Sequence, residues 1–171
     1  MDDNGATMTA TGSIINISLL QQRLLLQNDA RVLLDVAVST AANGAGEQFG
    51  SECTPRGRHR VRAMIGRDCP INTVFRGRRP TGEIYTADLA RQFPERDWIL
   101  TRILWLCGME PGKNRLGSVD TMRRFIYIHG TADETLLGQP SSHGCIRMGN
   151  ADVMRLFELV DIGTRVVISD G

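Results

Sequence analysis

The sequence predicts an all-β (β-dominated) fold: a β-sandwich of mixed sheets with one or two short helices and one long loop. Three observations predict it. Apolar residues recur in short runs of strand length, many of them alternating or apolar on both faces. Only Val153, Leu156, Phe157 and Val160 follow a sustained helical spacing. Glycine, proline and asparagine break the runs from end to end. A length of 171 residues suits one domain, large enough to bury its own core without staples. Residues 1–12 are small and polar and are expected to form a flexible N-terminal tail, leaving residues 13–171 as the domain.

Taken in order, residues 14–18 and 23–27 are short apolar runs. Asn28-Asp29 is a turn signal between residues 21–27 and 31–39, which together read as a hairpin. Val32, Leu34, Val36 and Val38 share one face of the second arm, and Leu33 and Ala37 make the other face apolar too. A strand covered on both sides is the expectation. Residues 43–50 are glycine-rich and polar, hence loop, and residues 58–65 form the next strand. Residues 66–97 contain Pro70, Gly77, Pro80, Gly82 and Pro94 with few apolar repeats. They read as an irregular excursion with one helical turn near residues 87–92, and long loops of this kind are often functional lids. Residues 98–106 form a buried strand, residues 110–118 a loop, and residues 124–129 a strand ending on a histidine. Asn150 is expected to cap a helix that has Asp152 in its first turn. Gly163 ends the turn after it, and residues 165–169 close the domain as a last strand.

Net charge is +1, with 42% hydrophobic and 23% charged residues. Nothing in that balance draws the whole molecule to nucleic acid or to a membrane surface. Basic and aromatic residues do not interleave into a platform for single-stranded nucleic acid either. The charge is uneven, however: Arg56, Arg58, Arg60 and Arg62 alternate with Gly57, His59 and Val61. On a strand these arginines share one face, which is either a solvated sheet surface or a strip that attracts carboxylates. None of the four cysteines, Cys53, Cys69, Cys107 and Cys145, forms a C-x-x-C pair. No His/Cys cluster has metal-ligand spacing, so no metal or cofactor is expected. The chain as written shows no apolar run of membrane-spanning length and no export signal.

The chemistry concentrates in two segments, Ser141-Ser142-His143-Gly144-Cys145-Ile146-Arg147-Met148 and Ile128-His129-Gly130-Thr131. A thiol attacks a carbonyl only as its anion, so it needs a base within reach and donors for the oxyanion. Cys145 is the candidate nucleophile, and His129, rigidly placed at a strand end, its base. Gly144 lets a substrate approach the backbone, with N–H groups around Gly144 and Cys145 available to a developing oxyanion. Arg147 holds a permanent charge suited to a carboxylate. Singly, a cysteine is most often a packing residue, a strand-end histidine structural, and a polar turn only a turn. Their co-occurrence favours chemistry.

Ser142-His143-Gly144-Cys145-Ile146-Arg147 resembles the S/T-H-G-C signature of the YkuD-type L,D-transpeptidase catalytic domain family. Ile128-His129-Gly130-Thr131 is similar to that family's upstream histidine segment. Residues 54–61, Thr-Pro-Arg-Gly-Arg-His-Arg-Val, resemble its T-P-x-G-x-(F/H/Y)-x-(V/I) strand, and residues 161–168 its closing G-T-x-V-x-I strand. The resemblance covers residues 14–169 and implies specific roles. Cys145 would be acylated, and His129 would be its general base, held by the carbonyl of Gly130. His143, Gly144, Ser142 and Gly130 would shape and support the oxyanion site, and Arg147 and Thr131 would bind substrate. The long loop would then border the active site. The implied reaction is attack on a peptidoglycan stem tetrapeptide, release of the terminal D-alanine, and 3→3 cross-linking, with the thiol open to carbapenems. The peptidoglycan stem peptide is thus the expected partner. The resemblance implies the periplasm or cell envelope, whereas a chain complete as written would be cytoplasmic. Water as acceptor would make an L,D-carboxypeptidase of the same site. A cell-wall binding module would retain the fold but would not require a thiol. A papain-like protease does not fit, because its signature is absent and His129 precedes Cys145.

Overall fold

The computed structural model describes residues 12–29 and 31–171; the expected tail lies outside them except for Gly12. Among the described residues ten strands form one sheet: β1 Ile14–Ser18, β2 Arg23–Asn28, β3 Arg31–Ser39, β4 Gly57–Ile65, β5 Thr73–Arg76, β6 Arg79–Ile84, β7 Ile99–Gly108, β8 Tyr127–Gly130, β9 Ile146–Met148 and β10 Arg165–Ser169. Two α-helices of the described residues accompany them, α1 Ala87–Gln92 and α2 Asn150–Leu159. The neighbour order is β4-β10-β1-β2-β3-β9-β8-β7-β5-β6, and β7 also pairs back with β4. The strands from β4 round to β7 therefore close into a barrel-like sandwich, with the β5–β6 hairpin added at the start of β7. Parallel pairs (β1 with β10, β8 with β9) sit among antiparallel ones, so the sheet is mixed as expected.

The alternation read in the sequence decides which side chains go inward. Ile15 and Ile17 of β1, Leu24 and Leu26 of β2, Val61 of β4 and Val166 and Ile168 of β10 are buried in one core. Val153, Leu156, Phe157 and Val160 join that core from α2, so the helix covers the barrel with the face its spacing predicted. Each such side chain contributes roughly 1.5–3 kcal/mol on full burial. On β4, Arg58, Arg60 and Arg62 are exposed while His59 and Val61 are buried. Arg56, just before the strand, pairs with Glu47 and Asp170. The arginine strip is thus a solvated face.

Four expectations change. Residues 66–97 hold α1 where a helical turn was expected, but the rest is not irregular, because residues 73–84 form the β5–β6 hairpin. Gly77 and Arg78 both have positive φ (55° and 64°), which makes a two-residue hairpin turn of the type that matches strand twist. Pro80 and Gly82 argued against a strand, but β6 is the sheet edge, where a missing N–H costs no ladder bond. The strand expected over residues 124–129 starts only at Tyr127, because Phe125 sits at φ 56°. Val32 is 55% exposed and Asp35 is exposed too, so β3 is only partly covered, with Leu34, Val38 and Ser39 its buried residues. Finally, Gly149 and not Asn150 is the N-cap of α2, and Asn150 turns its side chain inward.

Candidate active site

Parallel pairing of β8 and β9 builds the site. The register sets Ile128 beside Ile146 and His129 beside Arg147. Ile128, Ile146 and Met148 point into the core. Tyr127, His129, Cys145 and Arg147, at the alternate positions, line a cleft of about 390 Å³ on the opposite side. Cys145 immediately precedes β9 and is half-buried. Its Sγ accepts the Tyr127 N–H at 3.3 Å and donates to the Phe125 carbonyl at 3.3 Å.

His129 is buried, and its Nδ1 lies 2.7 Å from the Gly130 carbonyl. A carbonyl only accepts, so Nδ1 carries the ring proton and Nε2 is left with a lone pair. Burial pushes the Cys145 thiol up to about 11, against the lowering effects of the Tyr127 N–H, Arg147 and Arg124. Burial likewise holds the His129 imidazole below its ordinary value, though the Gly130 carbonyl and Asp97 oppose it. The resting pair is therefore a neutral thiol and a neutral imidazole with a free Nε2. That is the state in which a base takes a proton as sulfur attacks.

The turn before Cys145 is tightly held. Thr54 Oγ1 donates to the Gly144 carbonyl at 2.9 Å and accepts the Ala41 N–H at 3.0 Å. Ser142 Oγ donates to the Cys145 carbonyl at 2.5 Å and accepts the Gly144 N–H at 3.2 Å. Gly144 has φ 129°, and a Cβ there would meet Ile126 and the Cys53 carbonyl at 3.1 and 3.2 Å. Only glycine suits that position. The Gly144 N–H is bonded to Ser142 Oγ and so stabilises the turn in this conformation. Ser142 and His143 line the cleft, and His143 is exposed.

Arg147 also lines the cleft. Its guanidinium donates to the Ser141 carbonyl and to Asp97, each at 3.2 Å. Thr131 is not brought to Cys145. It is buried in a neighbouring cleft of about 190 Å³ beside Arg96, Trp98 and Asp133, where its carbonyl accepts from Asn150. Among the described residues no three His, Cys, Asp or Glu side chains converge as a metal ion requires.

Several contributors lie outside the motif. Asn150 Nδ2 donates to Thr131 O at 2.7 Å and to Glu134 at 3.0 Å, and its Oδ1 accepts from Thr101 Oγ1 at 2.6 Å. That oxygen fills the space where a Cβ on Gly130 would sit, so Asn150 packs against the residue whose carbonyl fixes the His129 tautomer. Arg124 ties down the loop behind Cys145 through the carbonyls of Gly46, Glu47 and Cys53. Asp97 and Arg78 arrive from the 66–97 excursion. An arginine leading an apolar strand was the one visible signal for Arg124; for Arg78 and Asp97 the signal was only that the 66–97 excursion would border the site, which singled out neither residue.

The family model for the YkuD L,D-transpeptidase catalytic domain matches residues 12–168. The chain belongs to this family. Bacillus subtilis YqjB, provisionally named an L,D-transpeptidase, is 49% identical over 47 residues, 28% of this chain and 27% of that protein. Escherichia coli YbiS, also provisionally so named, is 47% identical over 47 residues, 28% of this chain and 15% of that protein. These alignments thus span about a quarter or less of the curated relatives. The structure of L,D-transpeptidase 3 from Mycobacterium tuberculosis superposes over 92% of this chain and 61% of that one, with TM-score 0.57 and 16% identity. An L,D-transpeptidase from Mycobacterium smegmatis gives TM-score 0.55 at 16% identity over 92% and 58%. At such identities the likeness is one of fold, and it agrees with the mixed, closed sheet described above.

Proposed function

We propose that residues 13–171 form a catalytic domain that transfers acyl groups between peptidoglycan stem tetrapeptides through Cys145. The observation that carries this reading is the one cleft lined by both Cys145 and His129, with Nδ1 bonded to Gly130 and Nε2 without a hydrogen-bond partner among the described residues. Membership of a catalytic-domain family supports the same reading.

In the proposed reaction the thiol leaves the Phe125 carbonyl and gives its proton to His129 Nε2 as sulfur attacks. The carbonyl attacked joins the diamino acid of the donor stem to its terminal D-alanine. The S–C bond forms, the C–N bond breaks, and the imidazolium returns the proton to the departing amine. An amine of a second stem then attacks the thioester, gives its proton to Nε2, and the thiol is regenerated. The product is a 3→3 cross-link. Arg147 orients a stem beside the thioester, and the cell envelope, where such stems are cross-linked, is the proposed place of work. Among the described residues no helix is long and apolar enough to cross a membrane.

The deciding experiment incubates the protein and its Cys145→Ala variant with a disaccharide-tetrapeptide and follows products by mass spectrometry. Dimer with loss of D-alanine from the wild type, and no product from the variant, is the expected result. Tripeptide alone would make water the acceptor and the domain an L,D-carboxypeptidase. No product and no carbapenem adduct on Cys145 would remove the catalytic reading and leave a binding module.

A further inference from the structure

We infer that Arg78, at the tip of the β5–β6 hairpin, is the residue that binds a carboxylate of the donor stem and so selects which stems are acylated. The inference rests on the proposed acyl transfer and deepens it.

Three guanidiniums border the cleft that holds Cys145: Arg78, Arg124 and Arg147. Two are already engaged. Arg124 donates to three backbone carbonyls and a serine hydroxyl. Arg147 donates to Asp97 and to Ser141. Arg78 is different. Among the described residues its one hydrogen bond runs from Nη1 to the Tyr127 hydroxyl at 3.1 Å. None of the ion pairs among those residues involves it. A guanidinium has five N–H donors in one plane, so most of its hydrogen-bonding edge is uncommitted at the cleft wall.

The side chain is nevertheless held in place. Its guanidinium carbon lies over the rings of Trp105 and Phe125, 4.7 and 5.0 Å from their centroids. Stacking of this kind uses the faces of the guanidinium and leaves its edge free to meet a planar anion through two parallel bonds. The backbone fits that purpose too. Arg78 itself takes φ 64° in the turn, a conformation that glycine or asparagine adopts more readily. The strained turn sets an arginine over the two aromatic rings.

The position is close to the chemistry. Phe125 and Tyr127, which Arg78 touches, are the residues whose carbonyl and N–H hold Cys145 Sγ. A peptide acylated at that sulfur passes the hairpin tip. A donor stem offers two carboxylates there: one on the leaving C-terminal D-amino acid, and one on the side chain of a diamino acid that carries it. The shared ligand chemistry is a carboxylate, and the test separates its two sources.

The experiment measures acylation of Cys145 by intact mass, with the wild type, Arg78→Ala and Arg78→Lys. Each is given three disaccharide-tetrapeptide donors: the free acid, the donor amidated at the diamino-acid side chain, and the donor amidated at the C-terminus. The wild type is expected to disfavour one amidated donor by about tenfold to hundredfold, the worth of a charged hydrogen-bonded pair. In Arg78→Ala that ratio falls toward one while the ratio for the other amide stays at its wild-type value; this identifies the carboxylate that Arg78 binds. Arg78→Lys, which keeps the charge but loses the paired edge, falls between, and it supplies the ratio if the alanine variant does not fold. Equal use of all donors by the wild type overturns the inference. So does a wild-type ratio in the variants, including the case where they acylate more slowly on every donor, which would mark Arg78 as a positioning residue for the thiol. Failure of the wild type to acylate on any donor overturns the functional reading itself, and this inference with it.

Discussion

Cys145 and His129 were visible in the sequence because nucleophilic catalysis needs residue types that are scarce in this chain, which has four cysteines and three histidines. Their protonation state was not visible, because it depends on what surrounds them. Burial raises the thiol and lowers the imidazole, so the thiolate is scarce at neutral pH in the absence of substrate. Alkylation of Cys145 by iodoacetamide, followed on its own peptide by mass spectrometry, should therefore rise about tenfold per pH unit between pH 7 and 10. A plateau below pH 9 would mean a preformed thiolate–imidazolium pair. In the proposed reaction turnover follows a different rule, since His129 would take the proton during attack. It should stay level at neutral pH and fall only in acid, where the depressed imidazole finally protonates. Arg147 was also legible, but its partner Asp97 lies 50 positions away in sequence. Arg147→Lys keeps the charge and loses the two-way hold on Asp97 and Ser141. Its kcat/KM on tetrapeptide should drop by about tenfold or more while alkylation of Cys145 persists. Normal turnover would remove Arg147 from the substrate site.

Elements with one buried face were readable, because a period of two or of 3.6 leaves a signature in the order of apolar residues. β1, β4, β10 and α2 fall where that signature put them. The elements that miss are those whose partners supply the reason for their shape. β9 has three residues, too few for any periodicity, and exists because β8 and β3 flank it. β6 carries a proline and a glycine and survives as an edge. Asn150 has the composition of a cap, yet buried neighbours outbid the helix end for its amide. Asn150→Ala tests that assignment. It leaves the Thr131 carbonyl and the Thr101 hydroxyl without their partner, at a cost of roughly 1–3 kcal/mol. A urea midpoint unchanged from wild type would return Asn150 to an ordinary helix start. Because Asn150 packs on Gly130, turnover should fall along with stability.

At the scale of the whole molecule, the closed sheet encloses a histidine that lies outside the proposed site. His59 is fully buried in β4, with Nδ1 3.0 Å from the Gly57 carbonyl and Nε2 3.0 Å from the Thr121 hydroxyl. Burial lowers its pKa from 6.5 to about 4. Between those values the unfolded chain binds the proton and the folded one does not, so stability falls as pH falls. Nothing is lost above about pH 6.5, and the loss amounts to about 3 kcal/mol by the time pH has fallen to the folded value. His129, also held neutral by burial, has the same sign. Urea midpoints should therefore decline from pH 7 to pH 4.5, and His59→Gln should flatten that slope in part. An identical slope in the variant would mean that His59 is charged or accessible in the fold. The sequence by itself determined the strand-rich class, the apolar faces, and the thiol with its imidazole, because short-range order and residue chemistry carry those directly. Only the tertiary structure decided which strands close the barrel, that a hairpin arginine and a distant aspartate reach the cleft, and that burial keeps the Cys145 thiol and the His129 imidazole neutral. Those outcomes depend on burial and on contacts between residues far apart in the chain, and local sequence order does not encode them.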